Sequence, residues 1–203
     1  MKITKEQIKD LKPRGDARQW YLSTDTHKEE DLEALLLRTN AQNSKWARWL
    51  FARIMSVKQR REIAIFAAEQ VLHIFEEKYP KDNRPRKAIE AARMVLEVGS
   101  GKNRLAAYSA AAAAYSAADA ASAATAAAAY AAAYAASAAD AAYSAADAAY
   151  SAHVSAAFAA ASADSAATAS EKTREMQERI IKEAVRILDR DATTEEQGGV
   201  GNG

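Results

Sequence analysis

Between Ala106 and Ala169, 40 of 64 residues are alanine, and no Gly, Pro, Lys or Arg interrupts them. Alanine has the highest intrinsic helix propensity, and the two residues that most reliably break a helix are absent, so the tract is helical. Each alanine buries only one methyl group, worth about 0.8 kcal/mol at best, and packing energy has to come from elsewhere. With no bulky side chains between them, alanine-rich helices can approach to about 8 Å, where backbone atoms make many dispersion contacts. A single straight helix over 102–170 would run about 100 Å, whereas a compact chain of this length has a radius of gyration of about 17 Å. Two or three antiparallel helices, broken where Ser or Asp can serve as caps, satisfy both limits. The expectation is an all-α, multi-helix bundle with closely packed, alanine-rich antiparallel helices.

Ala120 to Ala139 carries no formal charge over the length of a membrane span. It holds no Leu, Ile, Val or Phe, its Ser122, Thr125 and Ser137 are polar, and the nearest basic residues are Arg104 and Lys172. Alanine gains too little from hydrocarbon to hold such a segment in a bilayer, so no membrane partner is expected. Met1 to Lys5 also lacks the apolar run of a secretory leader, which points to the cytoplasm. The absence of cysteine removes disulfides, thiol catalysis and cysteine-ligated zinc. The net charge of +1 implies no bulk attraction to nucleic acid. That near-neutrality conceals segregation: residues 1–104 carry +7, residues 105–170 carry −4 and residues 171–203 carry −2.

Outside the tract, apolar spacing predicts a short helix from Thr4 to Lys12 ended by Pro13, then an irregular stretch with Trp20 and Tyr21. Thr26 and Glu29 have capping-box spacing ahead of a helix bearing Leu32, Leu35 and Leu36. Ser44 can cap a helix carrying Trp46, Trp49, Leu50 and Ile54. Ser56 and Gln59 form a second capping-box pair before a helix that presents Ile63, Phe66, Ala67, Val71, Ile74 and Phe75 and stops at Pro80. Pro85 suits the first position of the next helix, with Gly99 placed to terminate it. Ser170 opens a final amphipathic helix with Met176, Ile180, Ala184, Ile187 and Leu188 facing inward. No alternation lasts long enough for a strand. The implied organisation is an N-terminal helical extension over 1–55, an alanine-rich bundle over 56–191 and a disordered tail over 192–203.

A seven-residue echo lies on the alanine background: Tyr-Ser-Ala-Ala-Asp-Ala-Ala occurs at 115–121 and again at 143–149. Steps of three and four align Asp140, Tyr143, Asp147, Tyr150 and Val154 on one stripe, and Tyr108, Tyr115, Asp119 and Ser122 on another. Either the tyrosines and aspartates bond one another or the basic regions internally, or the stripe faces water and binds a partner, since tyrosine gives rigid contact area at small entropy cost.

Catalytic and metal-binding constellations are thin. Of the three histidines, His27 lies in a polar loop and His153 in the alanine tract. Glu69 and His73 are four apart on one helix face, but two ligands do not make a metal site, and a hydrogen bond between them is the simpler reading. Gly99-Ser100-Gly101-Lys102 lacks the preceding strand and the spacing of a phosphate loop. The densest remaining signal is the loop from Glu76 to Arg86. Asp82 or Asn83 can cap the following helix while Arg84 and Arg86 reach acids such as Glu76, or the paired arginines can hold a phosphate or carboxylate.

The run Ala67-Ala68-Glu69-Gln70-Val71-Leu72-His73-Ile74-Phe75-Glu76, then Pro80, Asp82 and Arg84-Pro85-Arg86, then Ala88-Ile89-Glu90-Ala91-Ala92-Arg93, ahead of an alanine-rich helical tract, resembles the family called "putative immunity protein" over roughly residues 56–190. Residues 1–55, with the Trp46/Trp49 helix, resemble the extension carried by phage members. The resemblance implies a phage-encoded, non-enzymatic protein that neutralises a toxin or defence effector by binding it in the host cytoplasm, without cofactor or catalytic residues. The residues expected to meet that partner are Asp82, Arg84, Arg86, Tyr143, Asp147 and Tyr150. Two alternatives stay open: a sponge for a small anionic signal such as a nucleotide, held by Arg84, Arg86 and nearby tyrosines, and a purely structural or oligomerising helical module. Smooth alanine faces pack equally well between chains, so a homo-oligomer fits the same surface.

Overall fold

The computed structural model describes residues 1–13, 15–23, 29–119, 121, 123–140 and 166–198. Among them are nine α-helices and one two-stranded ribbon. Contacts divide the chain into two compact units, one of Met1–Ile54 with Ile181–Gly203 and one of Met55–Ile180. The architecture is an all-α multi-helix bundle, with the ribbon a small departure from it.

In the first unit, β1 (Lys2–Thr4) pairs antiparallel with β2 (Glu29–Asp31), Ile3 standing opposite Glu30. Three residues per strand are too few for alternation to be read, which is why the sequence predicts none. Thr4 ends β1 and caps α1 (Lys5–Asp10): its hydroxyl accepts from the Gln7 N–H at 3.1 Å, and its own N–H donates to the Gln7 side chain at 2.7 Å. The stretch expected to be irregular is instead α2 (Gly15–Ser23). It opens on Gly15 at φ +55, a left-handed conformation that glycine adopts without a Cβ penalty. Asp31 begins α3 (Leu32–Gln42), its Oδ1 accepting from the N–H groups of Glu33 and Ala34 at 3.0 and 3.2 Å. Glu29 sits in β2, so it is no part of that cap, and Thr26 lies outside the described residues.

α4 (Ser44–Ile54) starts behind Asn43, whose carbonyl accepts from Trp46 and Ala47. Leu32, Leu35, Leu36, Leu50 and Tyr21 form the buried interior of this unit. The Tyr21 ring lies edge-on to Trp20 at 5.1 Å and tilted against Trp49 at 6.1 Å, and its hydroxyl donates to the Trp46 carbonyl at 3.5 Å. Arg38 lies 4.5 Å over the Trp20 ring while its Nη2 donates to both oxygens of Glu30.

In the second unit, Ser56 and Gln59 complete the expected capping box at the head of α5 (Val57–Lys78). Its Ile63, Ala67, Ala68, Val71 and Phe75 are buried. A short loop leads to α6 (Arg84–Glu97), which has Pro85 in its first turn, one place later than expected. α6 ends at an extended Val98, and Gly99 takes no left-handed conformation. Its last carbonyls, those of Met94 and Val98, accept instead from the Asn103 side chain at 3.2 and 2.7 Å.

The alanine tract then gives α7 (Gly101–Asp119) and α8 (Ala123–Asp140), separated by residues 120–122 and packed on one another. Asp119 meets Tyr130 while Tyr115, one turn earlier, meets Tyr134, so the pair is antiparallel, as expected. α8 packs against α5, α6 and α7 together. Ala127, Ala128, Ala129, Ala131, Ala132, Ala133, Ala135 and Ala136 are all buried. The two residues that break this run, Tyr130 and Tyr134, are half-exposed and lie four residues apart on one side of the helix.

α9 (Ala166–Gly198) begins four residues before the expected Ser170. Met176, Ile180, Ala184, Ile187 and Leu188 are buried as the spacing predicts. The helix continues to Gly198, through much of the segment expected to be a disordered tail, and 199–203 lie outside the described residues.

Burial pushes the Tyr21 phenol up to about 12. Unfolded, it ionises near pH 10, so stability complete below that pH is lost as pH rises between the two values, by up to about 1.4 kcal/mol per pH unit. Tyr21→Phe removes this loss. Urea melts at about pH 9 and about pH 11 should show the variant gaining on the parent, and an equal pH dependence would refute the assignment.

Candidate functional site

On α5, Glu69, Leu72, His73 and Glu76 recur at steps of three, one and three, and on α6, Arg86, Ile89, Glu90 and Arg93 repeat the same steps. Residues so spaced share one helix face. The tight loop runs the two helices antiparallel and brings those faces together as the walls of a groove of about 380 Å³. At its loop end, Arg86 Nε donates to Glu76 Oε1 at 2.7 Å and Nη2 to Oε2 at 2.6 Å, a fork-to-fork pair. Two helical turns away, Arg93 donates through Nε at 2.8 Å and through Nη2 to Oε1 of Glu69, which leaves Glu69 Oε2 without a donor. Glu69 and Glu76 are seven residues apart on α5, as Arg86 and Arg93 are on α6. The two ion pairs therefore stand as rungs about 10 Å apart. Leu72 and Ile89, 8% and 4% exposed, form the floor between them.

The residues nominated from the sequence distribute unevenly around this groove. Arg86 lines it, and its guanidinium pKa is raised by hydrogen bonding to Glu76. Asp82 and Arg84 are not among its lining residues but close on each other in the loop beside it. Asp82 Oδ1 accepts from the Arg84 N–H at 3.1 Å and from Nε at 2.9 Å, and Oδ2 accepts from Nη2 at 2.6 Å. Tyr143, Asp147 and Tyr150 lie outside the described residues. The expected Glu69–His73 hydrogen bond does not form: the Glu69 carboxylate turns to Arg93, and His73 stays exposed. No group of three metal-ligating side chains occurs among the described residues.

Glu90 and Arg93 belong to the run that carries the family resemblance, but the sequence alone does not single them out as site residues. The missing signal was the matched seven-residue spacing on two helices that a short loop must fold against each other. The other tyrosine stripe divides. Tyr108 is 63% exposed beside Leu105 at 67%, whereas Tyr115 packs against Tyr130 and Tyr134 at 6.0 and 5.6 Å between ring centroids. The Tyr130 hydroxyl donates to Asp119 at 2.7 Å, and this bond raises its pKa.

The sequence profile described as "Imm-5 like putative immunity protein" matches residues 53–184. The chain belongs to this immunity-protein family. The match spans the groove and both of its walls. No curated protein and no solved structure matches the chain. Among the described residues, no helix is long and apolar enough to cross a membrane.

The Arg84 hydrogen bonds hold the Asp82 carboxyl below the usual carboxylate range. Their contribution to stability is present above that range and is lost as pH falls through the lowered value. Asp82→Asn should therefore lower the melting temperature near neutrality, and the gap from the parent should narrow as pH falls below the usual carboxylate range. A gap independent of pH would show that the loop does not depend on this charge pair.

Proposed function

We propose that this protein is a non-enzymatic binding protein, encoded by a phage and acting in the host cytoplasm, which neutralises a bacterial toxin or defence effector by docking it over the α5–α6 groove and its loop. Membership of the immunity-protein family supports a role exercised through a partner. The observation that carries the reading is the placement of the residues behind the family resemblance. Glu69, Glu76, Arg86 and Arg93 stand on the surface as ion pairs worth about 0–1 kcal/mol each, so folding alone makes little demand for them. They frame a concave, partly apolar surface, the kind of place where a few side chains carry most of a binding energy. Arg84 and Asp82 border it at the loop, and the tyrosine face of the tract, continued in sequence by Tyr143, Asp147 and Tyr150, offers further rigid contact area.

The nucleotide-sponge alternative is less well supported, because Arg84 and Arg86 both turn Nε and Nη2 onto carboxylates already. Co-purification from infected or toxin-expressing cells, followed by mass spectrometry, separates the readings: a stoichiometric protein supports neutralisation, and a released nucleotide supports the sponge. With the partner in hand, Arg84→Ala combined with Arg86→Ala should weaken binding at least about tenfold, because Asp82 and Glu76 lose the guanidinium groups that hold them in place, while leaving the helical circular dichroism unchanged. Loss of helicity in that variant would make both arginines structural.

A further inference from the structure

The groove between α5 and α6 has charged walls, an apolar floor and an excess of acid. Glu69, Glu76 and Glu90 face Arg86 and Arg93, with His73 among them. Both arginines are already turned onto α5 carboxylates. Glu90, four residues beyond Arg86 and three before Arg93, receives no hydrogen bond or ion pair among the described residues, although its charge is felt by Arg86. Glu69 Oε2 is likewise left over. Unused carboxylate oxygen therefore remains at the centre of the groove, alongside the His73 ring and the outer Nη1 groups of Arg86 and Arg93. It stands above the hydrocarbon of Leu72 and Ile89, between rungs about 10 Å apart. An anion entering here would have only the outer N–H groups of the two arginines to bind and would lie beside three acids.

We infer that this groove receives a lysine or arginine side chain of a protein partner, its aliphatic stem laid on Leu72 and Ile89 and its cation met by Glu90 and by Oε2 of Glu69. Long basic side chains suit such a surface because they bury a hydrocarbon stem while keeping the charged head hydrogen-bonded. The inference rests on the reading above that the chain acts by binding a protein, and it names the chemistry of the contact. A basic projection on the partner is the complement, and the acid excess speeds its approach as well as fixing its register.

The test is a nuclear magnetic resonance titration of the isotope-labelled full chain with three probes: acetyl-Gly-Arg-Gly-amide, acetyl-Gly-Glu-Gly-amide and inorganic phosphate. The expected result is saturable shifts at Leu72, His73, Ile89 and Glu90 with the arginine peptide alone, weakened roughly tenfold in Glu90→Lys and partly in Glu90→Gln. Glu90 is exposed, and the glutamine variant keeps the reading available if charge reversal disturbs the fold. Shifts at these residues with phosphate or the glutamate peptide, no saturable shift with the arginine peptide, or an affinity unchanged in Glu90→Lys would each overturn the inference. A toxin that docks on another face would leave the proposed function standing while this titration removed the groove. An arginine response in a chain that captures no protein in cells would do the reverse.

Discussion

How closely other helices can approach α8 decides the second unit. Three helices pack on it, and eight of the ten residues from Ala127 to Ala136 are buried alanines. A helix enclosed on nearly every side needs a small side chain at nearly every position, or its neighbours are held apart and dispersion between backbones is lost. Tyr130 and Tyr134 can be large because they sit four residues apart on a half-exposed side of α8, beside α7. On that side they pack with Tyr115, and the Tyr130 hydroxyl bonds Asp119. From Ala127 to Ala136, α8 thus has one textured face and is buried alanine elsewhere.

The groove is a by-product of the same arrangement. α5 and α6 give their alanines and most of their Ile and Val to the interior, including Ala67, Ala68, Val71, Ala88, Ala92 and Val95, while Phe66 and Ile74 are only half-buried. Their charged residues are left along the outer seam. Because the loop from Tyr79 to Asn83 forces an antiparallel return, seven-residue spacing on each helix becomes two ion pairs at matched heights. Exposed pairs of this kind add little to stability. The seam can therefore carry partner recognition without the interior depending on it.

Capping chemistry made the large helices legible: the Ser56/Gln59 box, Pro85 and the inward stripe from Met176 to Leu188 each mark an element that is present. The antiparallel breakage of the tract was legible too, from the conflict between its length as a rod and the size of a compact chain. The failures are local and have causes. α2 has little amphipathic pattern, and its Trp20 and Tyr21 are held by partners distant in sequence, Arg38, Trp46 and Trp49. The ribbon is three residues wide. Gly99 looked like a helix terminator, but the Asn103 side chain fills that role from the next helix. Of the candidate site, Arg86 with Glu76 was anticipated as an ion pair. Arg93 with Glu69 was not, since a pair 24 residues apart shows only once the two helices are set against each other.

The most direct measurement of whether methyl-sized packing holds the bundle together compares two substitutions of one kind by urea denaturation. Ala132→Leu adds bulk at a fully buried position of α8, and Ala112→Leu adds the same bulk on the exposed side of α7. Leucine is nearly as good a helix former as alanine, so helix propensity alone predicts little change at either site. Close approach predicts a loss of about 1–3 kcal/mol or more at Ala132 and a change within about 0.5 kcal/mol at Ala112. Equal, small effects at both positions would contradict it.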